Sequence, residues 1–417
     1  MVTDSYPSTL TVAKNAHHAF LELERTKGAD RSRGVRAMAQ GLHEAFNEIL
    51  EANTLDLETS REMAVPELVI DWLKLTPERL QTAVEILEAL AELTDPIQRV
   101  TDAVYQLTPF QTYCQRMPLG VIALIYEAFP ELGAIAAGLC LKTSNSLILR
   151  GCGSASNSNA VITRVLQEAL GEAGLPTGCL EVLAPEQGIS IQDLVTQDQC
   201  VNLIIPYGRP SLIQQVTQLA TAPVLKSAMG NCYLHWSDSG NLDLVRWTIL
   251  DSHASQPDPV NAIEKVLVHA QQKPTSLVRL FNSLQEKGFL LRGEGQLAAE
   301  FPEYLALAQD SEWGEAYLSR TVAFRTVASL SEAIAWMNQY SSGHANCLVT
   351  ESYLESRQFA TEIDSALVYI NASPRFCRYR KGGDSVFLGM SNQKGNRRGL
   401  IGLETFTTLK QIVQGLE

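Results

Sequence analysis

With 417 residues, 45% hydrophobic and 19% charged, the chain has globular composition sized for two or three domains, which excludes a disordered or fibrous protein. Its 46 acidic and 33 basic side chains give a formal charge of −13 without any Lys/Arg-rich run, which argues against nucleic acid or an anionic membrane surface as partner. The longest apolar stretch, 132–141, is too short to span a bilayer and stops at Lys142. The opening residues lack the basic-then-apolar order of a secretory signal. Eight cysteines, at 114, 140, 152, 179, 200, 232, 347 and 377, form no Cys-x-x-Cys pair. They read as free thiols in a reducing cytoplasm.

The first hundred residues predict helices. Leu42, Phe46, Ile49 and Leu50 share one face, as do Leu80, Val84, Leu87 and Ala91. Asp95-Pro96 ends the second run, because proline cannot donate the next helical hydrogen bond. Residues 103–117 are aromatic and β-branched and predict an extended hairpin. From Gly120 onwards, short apolar runs at 121–126, 147–149, 180–183 and 201–205 alternate with helical segments around 131–141, 157–173 and 189–196. That alternation predicts a parallel sheet covered on both faces. A second set at 266–269, 321–324, 345–349 and 366–371 predicts another α/β unit. No repeat or low-complexity linker separates the two, so the domains are expected to interleave. No metal-ligand spacing occurs; the adjacent His17-His18 would point to different sides of a helix.

Four stretches carry a family resemblance. They are Pro118-Leu-Gly-Val-Ile-Ala-Leu-Ile-Tyr-Glu-Ala128, Leu139-Cys-Leu-Lys-Thr-Ser-Asn-Ser-Leu-Ile-Leu-Arg-Gly151, Val368-Tyr-Ile-Asn-Ala-Ser-Pro-Arg-Phe376 and Gly399-Leu-Ile-Gly-Leu-Glu-Thr-Phe-Thr-Thr-Leu-Lys410. Together they resemble the gamma-glutamyl phosphate reductases (glutamate-5-semialdehyde dehydrogenases), a branch of the aldehyde dehydrogenase superfamily. The resemblance runs from about residue 35 to 412. It implies an α/β, aldehyde-dehydrogenase-like fold with three parts. A Rossmann-like parallel-sheet cofactor domain would take 1–103, 119–230 and 363–398. A catalytic-type α/β domain would take 231–362. A β-flap oligomerisation element and tail would take 104–118 and 399–417, which makes a homodimer the expected assembly.

The family reduces an acyl phosphate to an aldehyde with NADPH, in proline synthesis. A cysteine thiolate displaces phosphate, and hydride then reduces the thioester; thiolate suits a step that needs a nucleophile able to leave again. In the family the nucleophile stands in a Gln-Arg-Pro-x-x-Cys-Asn-Ala stretch. Here the run is Gln256-Pro257-Asp258-Pro259-Val260-Asn261-Ala262, one residue shorter, with Val260 before the asparagine. Valine has nothing to attack with. Cys377, with basic neighbours Arg375, Arg378 and Arg380, is a lesser candidate for a relocated nucleophile, and Cys232 a weaker one. A redox-sensing thiol at Cys152 or Cys377 is a third possibility.

Other positions differ too. After Tyr126-Glu127-Ala128 the family reads Arg-Pro-Asn, whereas this chain reads Phe129-Pro130-Glu131, a change expected to disfavour an anionic substrate. The family's Leu-Ile-Pro-Arg-Gly-Gly cofactor loop is here Ile204-Ile205-Pro206-Tyr207-Gly208-Arg209-Pro210. Glycines in such a loop let backbone N–H groups reach phosphates, and Arg209 and Pro210 oppose that. The family's Gly-x-Gly-Ala-Glu loop is not reproduced in 381–389. By position, Arg150, Gly208 and Gly230 match cofactor-side residues, and Asn261 and Asn371 match substrate-pocket residues. Arg150 reads equally as an exposed strand-end arginine, and Asn371 as a turn residue. The expectation is a reductase-like protein without turnover, binding NADPH weakly or not at all, kept for binding or scaffolding with an unidentified protein partner. The alternative is an active NADPH-dependent reductase with a displaced thiol.

Overall fold

The computed structural model describes residues 8–102, 110–184, 190–254, 259–393 and 397–415. Two compact units divide the chain: one holds residues through Ser227 together with Arg378–Gly389 and the tail from Leu400, the other holds Ala228–Cys377 and Met390–Gly399.

The first unit begins with five helices: α1 (Thr9–Leu23), α2 (Gly28–Glu44), α3 (Phe46–Glu62), α4 (Glu67–Leu73) and α5 (Pro77–Glu92). Helix α5 starts where its sequence says it should. The Thr76 hydroxyl accepts from Arg79 N, Pro77 fills the first turn, and Leu80, Val84, Leu87 and Ala91 are buried. Strands β1 (Val100–Asp102) and β2 (Phe110–Pro118) are antiparallel, and the expected hairpin tip at 103–109 lies outside the described residues. All nine positions of β2 also pair with the C-terminal strand described below.

The unit's central sheet alternates with helices: β3 (Val121–Tyr126), α6 (Pro130–Lys142), β4 (Ser146–Arg150), α7 (Ser156–Glu172), β5 (Leu180–Val182), α8 (Ile191–Val195), β6 (Leu203–Tyr207) and α9 (Pro210–Leu219). The four strands are parallel in the order β5-β4-β3-β6. Every residue of β3 and of α6 is buried, which is why both read as apolar on all sides. The run expected at 201–205 is displaced to 203–207 and includes Pro206. A proline is tolerated there because β6 is the last strand of the four.

The second unit is a seven-stranded parallel sheet. In chain order it comprises β7 (Cys232–Trp236), α10 (Leu242–Ser252), β8 (Ile263–His269), α11 (Pro274–Glu286), β9 (Leu290–Gly293), α12 (Gly295–Glu300), β10 (Ala306–Leu307), β11 (Thr321–Val327), α13 (Leu330–Tyr340), β12 (Ala345–Val349), α14 (Tyr353–Glu362) and β13 (Leu367–Ile370). The spatial order is β10-β9-β11-β8-β7-β12-β13. Helices α10 and α11 cover one face, packing on Leu234, Val266 and Phe324. Helices α13 and α14 cover the other, packing on Tyr233, Leu267 and Leu348.

The segment 363–398, expected in the cofactor-type domain, divides differently. Residues through Cys377 belong to the second unit, because β13 pairs with β12 from Ala345↔Leu367 to Leu348↔Ile370; only Arg378–Gly389 joins the first. The last strands are β14 (Phe387–Ser391), which pairs with β15 (Gly399–Gly402), and β16 (Thr407–Gly415), which pairs antiparallel with β2.

Candidate functional site

The C-terminal edge of the first sheet is where a parallel α/β unit ordinarily receives a nucleotide. Three strand ends meet there, at Tyr126, Arg150 and Tyr207. After β3 the chain turns through Ala128 and Phe129, both left-handed with φ of 55° and 50°. The turn is held by packing. Phe129 is fully buried, stacks on Trp72 at 4.8 Å between ring centroids, and meets Tyr207 edge-on at 5.6 Å. Glu131 is buried as well, and its carboxylate accepts from Arg79 Nε at 3.2 Å. Phe129 and Glu131, expected from the resemblance at a substrate-side position, are both buried among partners of the chain itself. The aromatic ring fills space beside Trp72, and the carboxylate has gained a cation 52 residues away.

Arg209 is similarly engaged. Its backbone N and its Nε donate to Glu127 at 3.0 and 2.9 Å, and the ion pair raises the guanidinium pKa. Gly208 has φ of 152°, and a Cβ there would stand 2.8 Å from Glu127 Cβ, so this position stays glycine to let the Glu127 side chain pass. Arg150 Nη1 donates to Gly151 O at 2.7 Å.

Two of the helix N-termini along this edge carry a carboxylate. Helix α6 opens with Pro130 and carries Glu131 in its first turn, and α9 opens with Pro210. The N-terminus of α7 is capped by buried Asp56 of α3, whose carboxylate accepts from Asn157 N at 3.0 Å and Ser158 N at 2.8 Å. Cys152, half-buried at the end of β4, accepts from Ala128 N at 3.3 Å, and burial raises its thiol pKa.

The position of the family nucleophile lies in the second unit. Gln256-Pro257-Asp258 fall outside the described residues; Val260 and Asn261 are described, and both are buried. Val260 O accepts from Gly230 N at 3.0 Å and lies 2.7 Å from His344 Nε2. His344 Nε2 is also 3.3 Å from Cys232 Sγ, and its Nδ1 is 2.7 Å from Ser342 Oγ. Val260, Cys232 and His344 are fully buried. Burial drives the Cys232 thiol well above its ordinary range and lowers His344 to about 4, so neither is charged at neutral pH. Cys232 is thus not an activated thiol.

Gly230 belongs to this cluster, whereas Arg150 and Gly208 belong to the first unit. Its φ of 70° and the 2.9 Å that would separate a Cβ from Ala316 Cβ account for the glycine. Asn261 Nδ2 donates to Pro374 O at 2.7 Å, which ties the segment leading to half-buried Cys377 to the Val260 loop. Asn371 lies elsewhere. It follows β13, at the opposite end of the parallel strands from Asn261. Its amide brackets Thr350, accepting from N at 3.0 Å and donating to O at 2.7 Å.

Sequence reasoning missed Glu264 and Lys265. A Glu-Lys pair inside the otherwise apolar run of β8 was the available signal. Glu264 accepts from Asn231 N, Tyr317 N and Leu318 N at 2.7–2.8 Å, and Lys265 Nζ sits 3.6 Å above the Tyr317 ring. Together they fix the approaches to β7 and β11. His344 carried no signal, being a lone histidine in a Ser-Gly-rich stretch. Among the described residues no group of three or more His, Cys, Asp or Glu is placed to hold a metal ion, and no helix is long and apolar enough to cross a membrane.

An aldehyde dehydrogenase family profile matches residues 8–232. Gamma-glutamyl phosphate reductase 2 of Synechocystis sp. is 58% identical over 99% of this chain and 98% of its own length. Gamma-glutamyl phosphate reductase of Gloeobacter violaceus is 37% identical over 100% and 99%. Among solved structures, gamma-glutamyl phosphate reductase from Thermotoga maritima matches with a TM-score of 0.89 at 31% identity, covering 98% of this chain and 99% of that one. The matches to the two relatives and to the solved structure extend over both units, and the chain belongs to the gamma-glutamyl phosphate reductase family, within the aldehyde dehydrogenase superfamily.

Proposed function

We propose that this chain keeps the reductase fold without reductase turnover and serves by binding or scaffolding. The observation that carries the reading is Val260, an inert side chain at the nucleophile position, buried with its carbonyl held by Gly230 N–H and His344. Without a thiolate there is no thioester, and direct hydride attack on an acyl phosphate lacks the intermediate that divides the barrier. Weak or absent NADPH binding belongs to the same reading. The residues at the first sheet's edge are engaged within the chain: Asp56 fills the N-terminus of α7, Glu131 stands in the first turn of α6 paired with Arg79, and Arg209 is neutralised by Glu127. The eight free cysteines support a reducing, cytoplasmic setting.

A second reading is favoured by one contact. The Asn261–Pro374 hydrogen bond brings the Cys377 segment to the Val260 loop, as an NADPH-dependent reductase of L-glutamyl 5-phosphate with a relocated thiol would need. The two readings separate in one assay of wild type, Val260→Cys and Cys377→Ala for oxidation of glutamate 5-semialdehyde. No wild-type turnover is expected, and Val260→Cys alone restores none. Wild-type turnover abolished by Cys377→Ala overturns the first reading and identifies the nucleophile. For the cofactor, fluorescence titration is expected to show no binding in the low-micromolar range, about −8 kcal/mol.

A further inference from the structure

The second sheet reverses its winding between β7 and β12. From β7 the chain crosses one face through α10 to β8; from β12 it crosses the other through α14 to β13. The loops after the two neighbouring strands thus leave in opposite directions, and the C-terminal ends of β7 and β12 border the kind of crevice in which open parallel sheets receive ligands. It stands at the opposite end of these strands from the Val260 cluster.

Hydroxyls span this crevice. Ser237 Oγ is 3.2 Å from Ser239 Oγ, which is 3.1 Å from Thr350 Oγ1, and Thr350 in turn donates to the Glu355 carboxylate in the first turn of α14. Beneath them His235, on β7, is fully buried. Its Nδ1 lies 3.0 Å from Leu267 O on β8, so Nδ1 carries the ring proton and Nε2 is left as an acceptor. Nε2 is buried and has no hydrogen-bond partner among the described residues. His235 pairs in register with Leu348 of β12, so His235, Ser237 and Thr350 share the face of the sheet that α14 covers, and the Glu355 charge acts on the ring. Buried acceptors are rarely left orphaned, so this one marks a place for a donor.

The cluster consists of hydroxyls, a neutral imidazole and one carboxylate, with His269 at the end of β8 the other titratable group acting on the ring. We propose that this crevice binds a primary ammonium group, either the free ion or the amine head of a small molecule. An ammonium supplies N–H donors to His235 Nε2, to Glu355 and to Ser237 Oγ, since Ser239 Oγ and Thr350 Oγ1 already accept from Glu351 N and Ser352 N at 3.0 Å, and its positive charge balances the carboxylate. A quaternary ammonium has neither the donors nor the size.

The test uses the full chain at constant ionic strength, with calorimetric and thermal-shift titrations of ammonium, methylammonium, potassium and tetramethylammonium chlorides. Saturable binding of ammonium, absent with tetramethylammonium and weaker with potassium, is expected. Methylammonium binding as tightly marks the amine head of a larger molecule, and rejection of methylammonium marks the free ion. Glu355→Gln is expected to weaken binding by about tenfold or more, and Glu351→Gln, an exposed neighbour, to leave it unchanged. No saturable response up to about 50 mM, or equal responses to potassium and ammonium, overturns the proposal and leaves an ordinary buried water at His235. A folded Glu355→Gln protein that binds as wild type overturns it too. Should Glu355→Gln fail to fold, the wild-type selectivity series decides alone.

Discussion

Arg79 reaches Glu131 with two guanidinium nitrogens and also donates to Trp72 O at 3.2 Å, with only 14% and 8% of the two charged side chains exposed. A buried pair of this kind is weak as a source of net stability but costly to break, because the surviving charge is stranded. Arg79→Met is expected to lower unfolding stability by about 3–5 kcal/mol, read as a shift in denaturant midpoint at unchanged slope. Glu131→Gln is expected to cost less, since an amide oxygen still accepts from Nε–H. A Glu131→Gln loss equal to that of Arg79→Met would show that the carboxylate charge, and not the shape or the hydrogen bond that the amide keeps, holds the pair.

At the scale of elements, β8 and its approach are pinned by three histidines. His235 Nδ1 lies 3.0 Å from Leu267 O, His253 Nε2 is 2.9 Å from Ile263 O, and His344 Nε2 is 2.7 Å from Val260 O. Burial lowers all three to about 4. The unfolded chain binds these protons near pH 6.5 and the folded chain only near 4, so the unfolded state holds more protons between those values and stability falls as the pH drops through that window. Each group contributes at most about 3 kcal/mol to the loss. Unfolding followed from pH 7 to pH 4 should therefore show a steep decline, shallower in His344→Gln. A flat profile across that range would mean the rings are accessible to protons in the folded state.

For the whole molecule, the three-stranded sheet β1-β2-β16 ends on β16, whose outer edge has no strand partner among the described residues. Nine residues long, it exposes Leu409 and Val413, 52% and 53% accessible, on one side. Open edges of that length invite another strand, and a second copy of this chain is the partner proposed. Sedimentation velocity is expected to give a dimer at micromolar concentration, converted to monomer by Leu409→Lys with Val413→Lys. A wild-type monomer at tens of micromolar, about the concentration of a standard run, would remove the proposal.

The residues themselves determined the type of most elements. The periodicity of Leu80, Val84, Leu87 and Ala91, and the unbroken apolar run of β3, are local consequences of which faces must be buried. The valine at position 260 is likewise a local fact, legible without coordinates. Tertiary structure alone decided what the substituted positions do. Phe129 and Glu131 read as losses at a substrate site, yet Trp72 and Arg79, distant in sequence, made them part of a core. Asn261 and Asn371 read as one pocket, yet strand direction sets them at opposite ends of a sheet. Residues 363–377 read as returning to the first unit, yet β13 pairs with β12 in the second. The reason is common to all three: a side chain's pattern fixes whether it is buried, but which strand edge or distant residue buries it is set by pairings that no local window contains.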